Sequence, residues 1–177
     1  PIKKWTLLID STANTAFMNL SSFSGKGFRK FIRQSFRTIH SRGVKNLVID
    51  LRSNGGGEIK NSTLLTRYIS DRSFKIADSV VAKNRGIRKI PISSYFDVMG
   101  YVLAKVMISK KASGGGFHIN RYEKHYYQPV TKNHFDGNVY ILQGGYTFSA
   151  STLFTSPLIN QKNVTIIGEE TGGGFYG

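Results

Sequence analysis

Apolar residues recur along this chain at two spacings, and the spacing alone lays out most of its elements. Short apolar runs at Trp5–Ile9 and Ala16–Leu20 read as two strands, parted by the turn-prone stretch Asp10–Asn14. From Lys26 to about Ser41 the period changes. Phe28, Phe31, Ile32, Phe36 and Ile39 fall on one side of a helix, and Arg29, Lys30, Arg33 and Arg37 on the other. Gly43 ends this helix, and Val44–Leu51 follows as a continuous apolar strand, a pattern expected for burial on both faces as in a parallel sheet. A second helix is predicted from about Gly57 to Ile69, with Ile59, Leu64, Leu65 and Tyr68 on its apolar side. The final third reads as strand Val139–Gln143, turn Gly144–Phe148, helix Ser149–Asn160 and strand Val164–Ile167.

The middle is less regular. It offers a strand-like stretch at Phe74–Val81, an amphipathic helix over Ser94–Ile108, a flexible Lys110–Gly116 segment and an aromatic-rich run through Tyr127. Loops this long mark a lid or binding insertion, here expected at about 85–132. Lys83, Arg85, Arg88, Lys89, Lys105, Lys110 and Lys111 give it a basic character. Gly114–Gly116 would supply its hinge, and Tyr122, Tyr126 and Tyr127 flat faces for an extended peptide. Strands alternating with helices place the chain in the α/β class as one core domain over 1–177.

Composition narrows the function classes. A hydrophobic fraction of 40% over 177 residues describes a chain able to bury a core, and no apolar run reaches the roughly 18 residues of a membrane span. The absence of cysteine removes disulfides and thiolate metal sites from these residues, and the four histidines form no zinc spacing. No metal or other cofactor is expected. The net charge of +15 suggests affinity for anions, but the basic residues are spread out rather than gathered in a tract, so no nucleic-acid partner is expected. The chain opens on Pro1 and four of its last six residues are glycines, which reads as the core of a longer protein truncated at both ends.

Two segments carry chemistry. The first is Leu47-Val48-Ile49-Asp50-Leu51-Arg52-Ser53-Asn54-Gly55-Gly56-Gly57, a buried strand running into three glycines and a helix. Backbone without side chains admits a close ligand, and free amides at a helix start favour negative charge. A phosphate loop is a poor fit, since no Gly-Lys-Ser/Thr follows and the glycines do not form GxGxxG. The second is Gly144-Gly145-Tyr146-Thr147-Phe148-Ser149-Ala150-Ser151-Thr152-Leu153, again strand, turn and helix. A serine here either caps the helix or stands beside amides able to stabilise an oxyanion.

In this order the two segments resemble the tail-specific (C-terminal-processing) and tricorn-like serine peptidases. Residues 49–57 match that family's Ile-Asp-Leu-Arg-x-Asn-Gly-Gly-Gly turn. Ser149-Ala150-Ser151 matches its Ser-Ala-Ser-Glu turn with Thr152 in place of glutamate, and Gly168-Glu169-Glu170-Thr171-Gly172-Gly173 matches its Gly-Glu-x-Thr-x-Gly segment. The resemblance implies a crotonase-like spiral of β-β-α units and a peptide or protein substrate. It implies Ser149 as nucleophile and an oxyanion hole from the amides of Ala150 and one glycine of the turn, with Gly56 the expected one. It also implies a bacterial protein acting outside the cytoplasm.

The resemblance stops at the general base. The family's lysine position falls on Gly174, and the tricorn-type histidine position on Asn19. Of the chain's own histidines, His134 precedes the strand that leads to Ser149, His118 and His125 flank the aromatic run, and His40 ends a helix. Asp50, Arg52 and Asn54 are expected to fix their turn. Two readings follow: a serine peptidase, or a binding module on the same fold with an eroded site. An acyl-CoA hydratase-type enzyme fits less well, since it leaves the serine unexplained and lacks paired glutamates. No PDZ module for a substrate C-terminus is evident.

Overall fold

The computed structural model describes residues 4–76, 81–82, 108–111, 117–119 and 123–173. The chain divides into two compact units, Pro1–Phe74 with Tyr127–Tyr176, and Lys75–Tyr126 with Gly177.

The larger unit is built on a mixed five-stranded sheet. Strand β1 (Trp5–Asp10) pairs antiparallel with β2 (Thr15–Leu20). Strands β3 (Asn46–Asp50), β7 (Asn138–Gln143) and β8 (Val164–Gly168) then add in parallel, in the order β1-β2-β3-β7-β8. The α/β expectation holds. Alternation along the strands sends Ala16, Met18, Leu20, Leu47, Ile49, Val139 and Ile141 into a core with no appreciable exposure. Helix α1 (Phe28–Ser41) closes that core with Phe28, Ile32, Phe36 and Ile39, its arginines staying outside. Helices α2 (Ile59–Arg67) and α3 (Ala150–Thr155) add Leu64, Leu65 and Phe154.

Three elements depart from the sequence pattern. The apolar run 44–51 is buried on one face only: Leu47 and Ile49 are covered, while Asn46, Val48 and Asp50 are half-buried. In-register neighbours on that outer face, Leu8 and Phe17, are exposed. The last helix is shorter than Ser149–Asn160. Pro157 lacks the N–H that an α-helical ladder needs, so α3 gives way to a 3-10 turn at Ser156–Leu158, and Asn160 turns the chain with φ 68°. Of the strand expected at Phe74–Val81, Phe74 forms a single bridge to Tyr127 and Val81 lies in a two-residue strand, while 77–80 lie outside the described residues.

The smaller unit holds a three-stranded antiparallel sheet in the order β4-β6-β5, from β4 (Val81–Ala82), β5 (Ile108–Lys111) and β6 (Phe117–Ile119). Lys110 and Lys111 thus sit in a strand rather than a flexible segment. Of the helix expected over Ser94–Ile108, Ile108 lies in strand β5, and 94–107, like the glycines 114–116 and Tyr122, lie outside the described residues. Tyr127, expected to offer a face to peptide, stacks on Phe74 at 5.7 Å.

Candidate active site

Strands β3, β7 and β8 run parallel and in register, Asp50 beside Leu142 and Gln143 beside Gly168, so all three deliver their C-terminal loops to one edge of the sheet. That edge is where open α/β sheets place their ligands. The three loops are the three glycine-bearing segments singled out in the sequence, and they meet at Ser149.

Ser149 ends the turn after β7 and immediately precedes α3. Its backbone lies at φ 54° and ψ −118°, in a region L-residues rarely enter, at a cost of about 1–3 kcal/mol. A serine held on such a strained strand-to-helix turn presents its hydroxyl outward. It is exposed, and its side chain makes no capping hydrogen bond to α3. The helix-cap reading therefore fails for Ser149. The neighbouring serine has the structural role, since Ser151 is fully buried and its Oγ donates to the Asn54 carbonyl at 3.1 Å.

The turn is held from both sides by backbone that only glycine allows. Gly56, at φ 101°, lies so close that a Cβ there would stand 2.7 Å from the Phe148 carbonyl oxygen, 2.8 Å from Ser149 Cβ and 3.1 Å from the Ala150 amide. Gly173 approaches from the other side, where a Cβ would stand 2.8 Å from the Ser149 amide. Ala150 is buried and sits at the first position of α3, and its amide has no acceptor among the described residues.

Asn54 ties these loops together. Fully buried, it donates from Nδ2 to the Leu20 carbonyl at 2.8 Å, and its own carbonyl accepts from the Phe148 amide at 3.1 Å. Its Oδ1 accepts the Gly56 amide at 2.9 Å. The Gly56 N–H, expected to face an oxyanion, is thus already engaged within its own turn. The amides of Gly55 and Gly57 have no acceptor among the described residues. Thr147 is a second tie that the sequence reading missed. Buried, it donates from Oγ1 to the Leu51 carbonyl at 2.9 Å and accepts the Gly144 amide at 3.0 Å, pinning the serine turn to the end of β3. Its place three residues past the first turn glycine was the available signal.

Among the described residues no base candidate is hydrogen-bonded to Ser149. His134 precedes β7 and Ser149 follows it, so the six residues of the strand, roughly 17–20 Å, lie between them. Both His134 ring nitrogens are engaged, Nδ1 with Asp136 Oδ1 at 2.7 Å and Nε2 with the Ser70 carbonyl at 2.9 Å. Asn19 is exposed on β2 in register with Asp50, His40 is exposed on α1, His125 is exposed, and His118 lies in β6. Gly174 lies outside the described residues. Thr152 donates to the Gly173 carbonyl at 3.3 Å. Asp50 and Arg52 form a two-contact pair at 3.0 and 2.8 Å, and this hydrogen bonding holds the Asp50 carboxyl below its ordinary value of 3.8. Among the described residues no group of three or more histidine, aspartate or glutamate side chains could hold a metal ion, and no helix is long and apolar enough to cross a membrane.

Solved structures share this fold across nearly the whole chain. A Parabacteroides merdae protein described as a candidate peptidase superposes with a TM-score of 0.63 at 18% identity, over 97% of this chain and 44% of its own. The photosystem II D1 C-terminal processing protease gives 0.58 at 20% identity, over 97% of this chain and 37% of its own. Mature CPAF in complex with lactacystin gives 0.59 at 12% identity, over 91% and 39%. The chain thus spans about two fifths of the length of these structures. No curated protein sequence matches it. The model of peptidase family S41 matches residues 14–176, and with it the chain belongs to that family of serine peptidases.

Proposed function

We propose that this chain carries the nucleophile of a serine-type peptidase, with Ser149 attacking the peptide carbonyl to form an acyl-enzyme that water then hydrolyses. The observation that carries the reading is the conformation of Ser149: strained, exposed, capping nothing, and enclosed by glycine backbone on two sides. Strain of that kind persists only where the surrounding structure enforces it. The oxyanion would be met by the free Ala150 amide and by one amide of the glycine turn. The amides of Gly55 and Gly57 have no acceptor among the described residues, whereas Gly56 would first have to release Asn54 Oδ1. A crotonase-like spiral and a flap at about 85–132 belong to the same proposal. The substrate is a peptide or protein.

One observation favours a second reading, a peptide-binding module with an eroded site: among the described residues Ser149 is hydrogen-bonded to no base, and His134 is fully engaged beyond the far end of β7. A fluorophosphonate probe separates the two, because only a nucleophilic serine with an oxyanion hole is labelled. Wild-type protein should label on Ser149, and Ser149→Ala should lose labelling while keeping its melting temperature, since the hydroxyl holds no structural hydrogen bond. Labelling that survives Ser149→Ala rejects Ser149 as the nucleophile, and wild-type protein that is never labelled rejects the peptidase reading.

A further inference from the structure

Behind the Ser149 turn lies a cavity of about 510 Å³ lined by Gln143, Thr152, Thr155, Ile159, Ile166 and Glu170, with Ser156, Thr171 and Gly173 completing its wall. Gly173 is the residue packed on the Ser149 amide, and Thr152 donates from Oγ1 to the Gly173 carbonyl at 3.3 Å. The cavity therefore shares a wall with the nucleophile's turn.

Its chemistry runs against that of the chain. Lys and Arg outnumber Asp and Glu 25 to 10, yet none of them is among the described residues of this wall. Two other cavities in the larger unit do carry cations, Lys45 in one of about 380 Å³ and Lys26, Arg29 and Lys60 in one of about 440 Å³. Here the single charged group among the described lining residues is the Glu170 carboxylate. Around it stand the hydroxyls of Thr152, Thr155, Ser156 and Thr171. Gln143 commits its Nε2 to the Glu169 carbonyl at 3.1 Å, which leaves its buried Oε1 without a donor. Ile159 and Ile166 add apolar surface.

A carboxylate and spare acceptors beside two isoleucines suit a long side chain with an aliphatic stem and a cationic head. We propose that this cavity is a specificity pocket that takes a lysine or arginine side chain of the bound peptide. The proposal rests on Ser149 acting on, or binding beside, a peptide. Non-specific electrostatics cannot mimic it, because a chain of net charge +15 repels cationic peptides and attracts acidic ones.

The test uses Ser149→Ala protein and a set of fluorescent alanine hexapeptides carrying lysine, norleucine or glutamate at each position in turn, with affinity read by anisotropy. At one position lysine should bind about tenfold or more tightly than norleucine, the scale of a charge-assisted contact. Glu170→Gln should remove that preference, and Glu170→Lys should reverse it in favour of glutamate. Equal binding of lysine and norleucine at every position overturns the pocket, and so does a lysine preference unchanged in Glu170→Gln. Fluorophosphonate labelling of the wild type reports separately on the nucleophile. Labelling without a lysine preference removes only the pocket, whereas a lysine preference without labelling keeps the pocket and removes the peptidase reading.

Discussion

The two ends of strand β7 carry polar constellations that look alike in sequence and differ in structure. Before the strand, His134 is bonded at both ring nitrogens, to Asp136 and to the Ser70 carbonyl. After it, Ser149 makes no capping bond, faces solvent, and pays for a backbone conformation that its neighbours impose. A histidine beside an aspartate is the more familiar catalytic signature, yet here every polar atom of the ring already has its partner. Such a group ties loops together. An exposed hydroxyl on strained backbone, bonded to no other part of the described protein, is the one on which the proposed chemistry rests.

The sharpest way to break this contrast is Gly56→Ala. The methyl would meet backbone atoms of Phe148 and Ala150 at 2.7 and 3.1 Å and force a side chain to φ 101°, so the turn must shift. Probe labelling of Ser149 should fall at least a hundredfold, the scale of losing one oxyanion donor, with a stability loss of about 1–3 kcal/mol by thermal melting. Labelling near the wild-type rate would show that the close approach of the two turns does not matter for reactivity.

At the same end, Ser151→Ala should cost about 1 kcal/mol in urea denaturation for its buried bond to Asn54, with labelling retained. Loss of labelling in Ser151→Ala together with its survival in Ser149→Ala would exchange the two roles. At the opposite end, His134→Ala should cost a similar amount, measured the same way, by freeing the Ser70 carbonyl and Asp136, and should leave the labelling rate unchanged. A labelling rate that falls tenfold would return His134 to the site and erase the contrast between the two ends.

The smallest effect concerns pH. Because Arg52 holds the folded-state Asp50 carboxyl below its ordinary value, the stability it adds is present above about pH 4 and is lost as pH falls through the lower folded value. Asp50→Asn should therefore unfold slightly earlier than wild type above pH 4 in chemical denaturation. The two curves should converge toward pH 2. A difference that persists or grows at low pH would place the contribution of Asp50 outside its pair with Arg52.

Much of the architecture was legible in the residues. The 3.6-residue recurrence of Phe28, Ile32, Phe36 and Ile39 marks α1 to within two residues of its start, because burial of one helical face leaves that period in any sequence. The glycines at 56–57 and 172–173, and the serine turn that Gly56 and Gly173 pack against, were equally visible, since only glycine tolerates backbone packed so closely. Val44–Leu51 misled, because an apolar run records that a strand is hydrophobic and not which of its faces meets a helix. The end of α3 was misplaced for a different reason: the pattern carried on past Pro157, while the backbone could not.

What the chain determined by itself, then, was local: the elements, the turn chemistry and the candidate serine, each set by residues within a few positions of one another. Tertiary structure decided which polar atoms remain free. Ser149 and Ser151 stand two residues apart on one turn, and nothing local says that Ser151 finds the Asn54 carbonyl 97 residues back while Ser149 finds no such partner. Nor does it say that Asn54 takes up the Gly56 amide while joining β2, β3 and the serine turn. Hydrogen-bond satisfaction is a property of the packed chain, because the competing partners reach one place only when the parallel register of β3, β7 and β8 brings their loops to the same edge of the sheet.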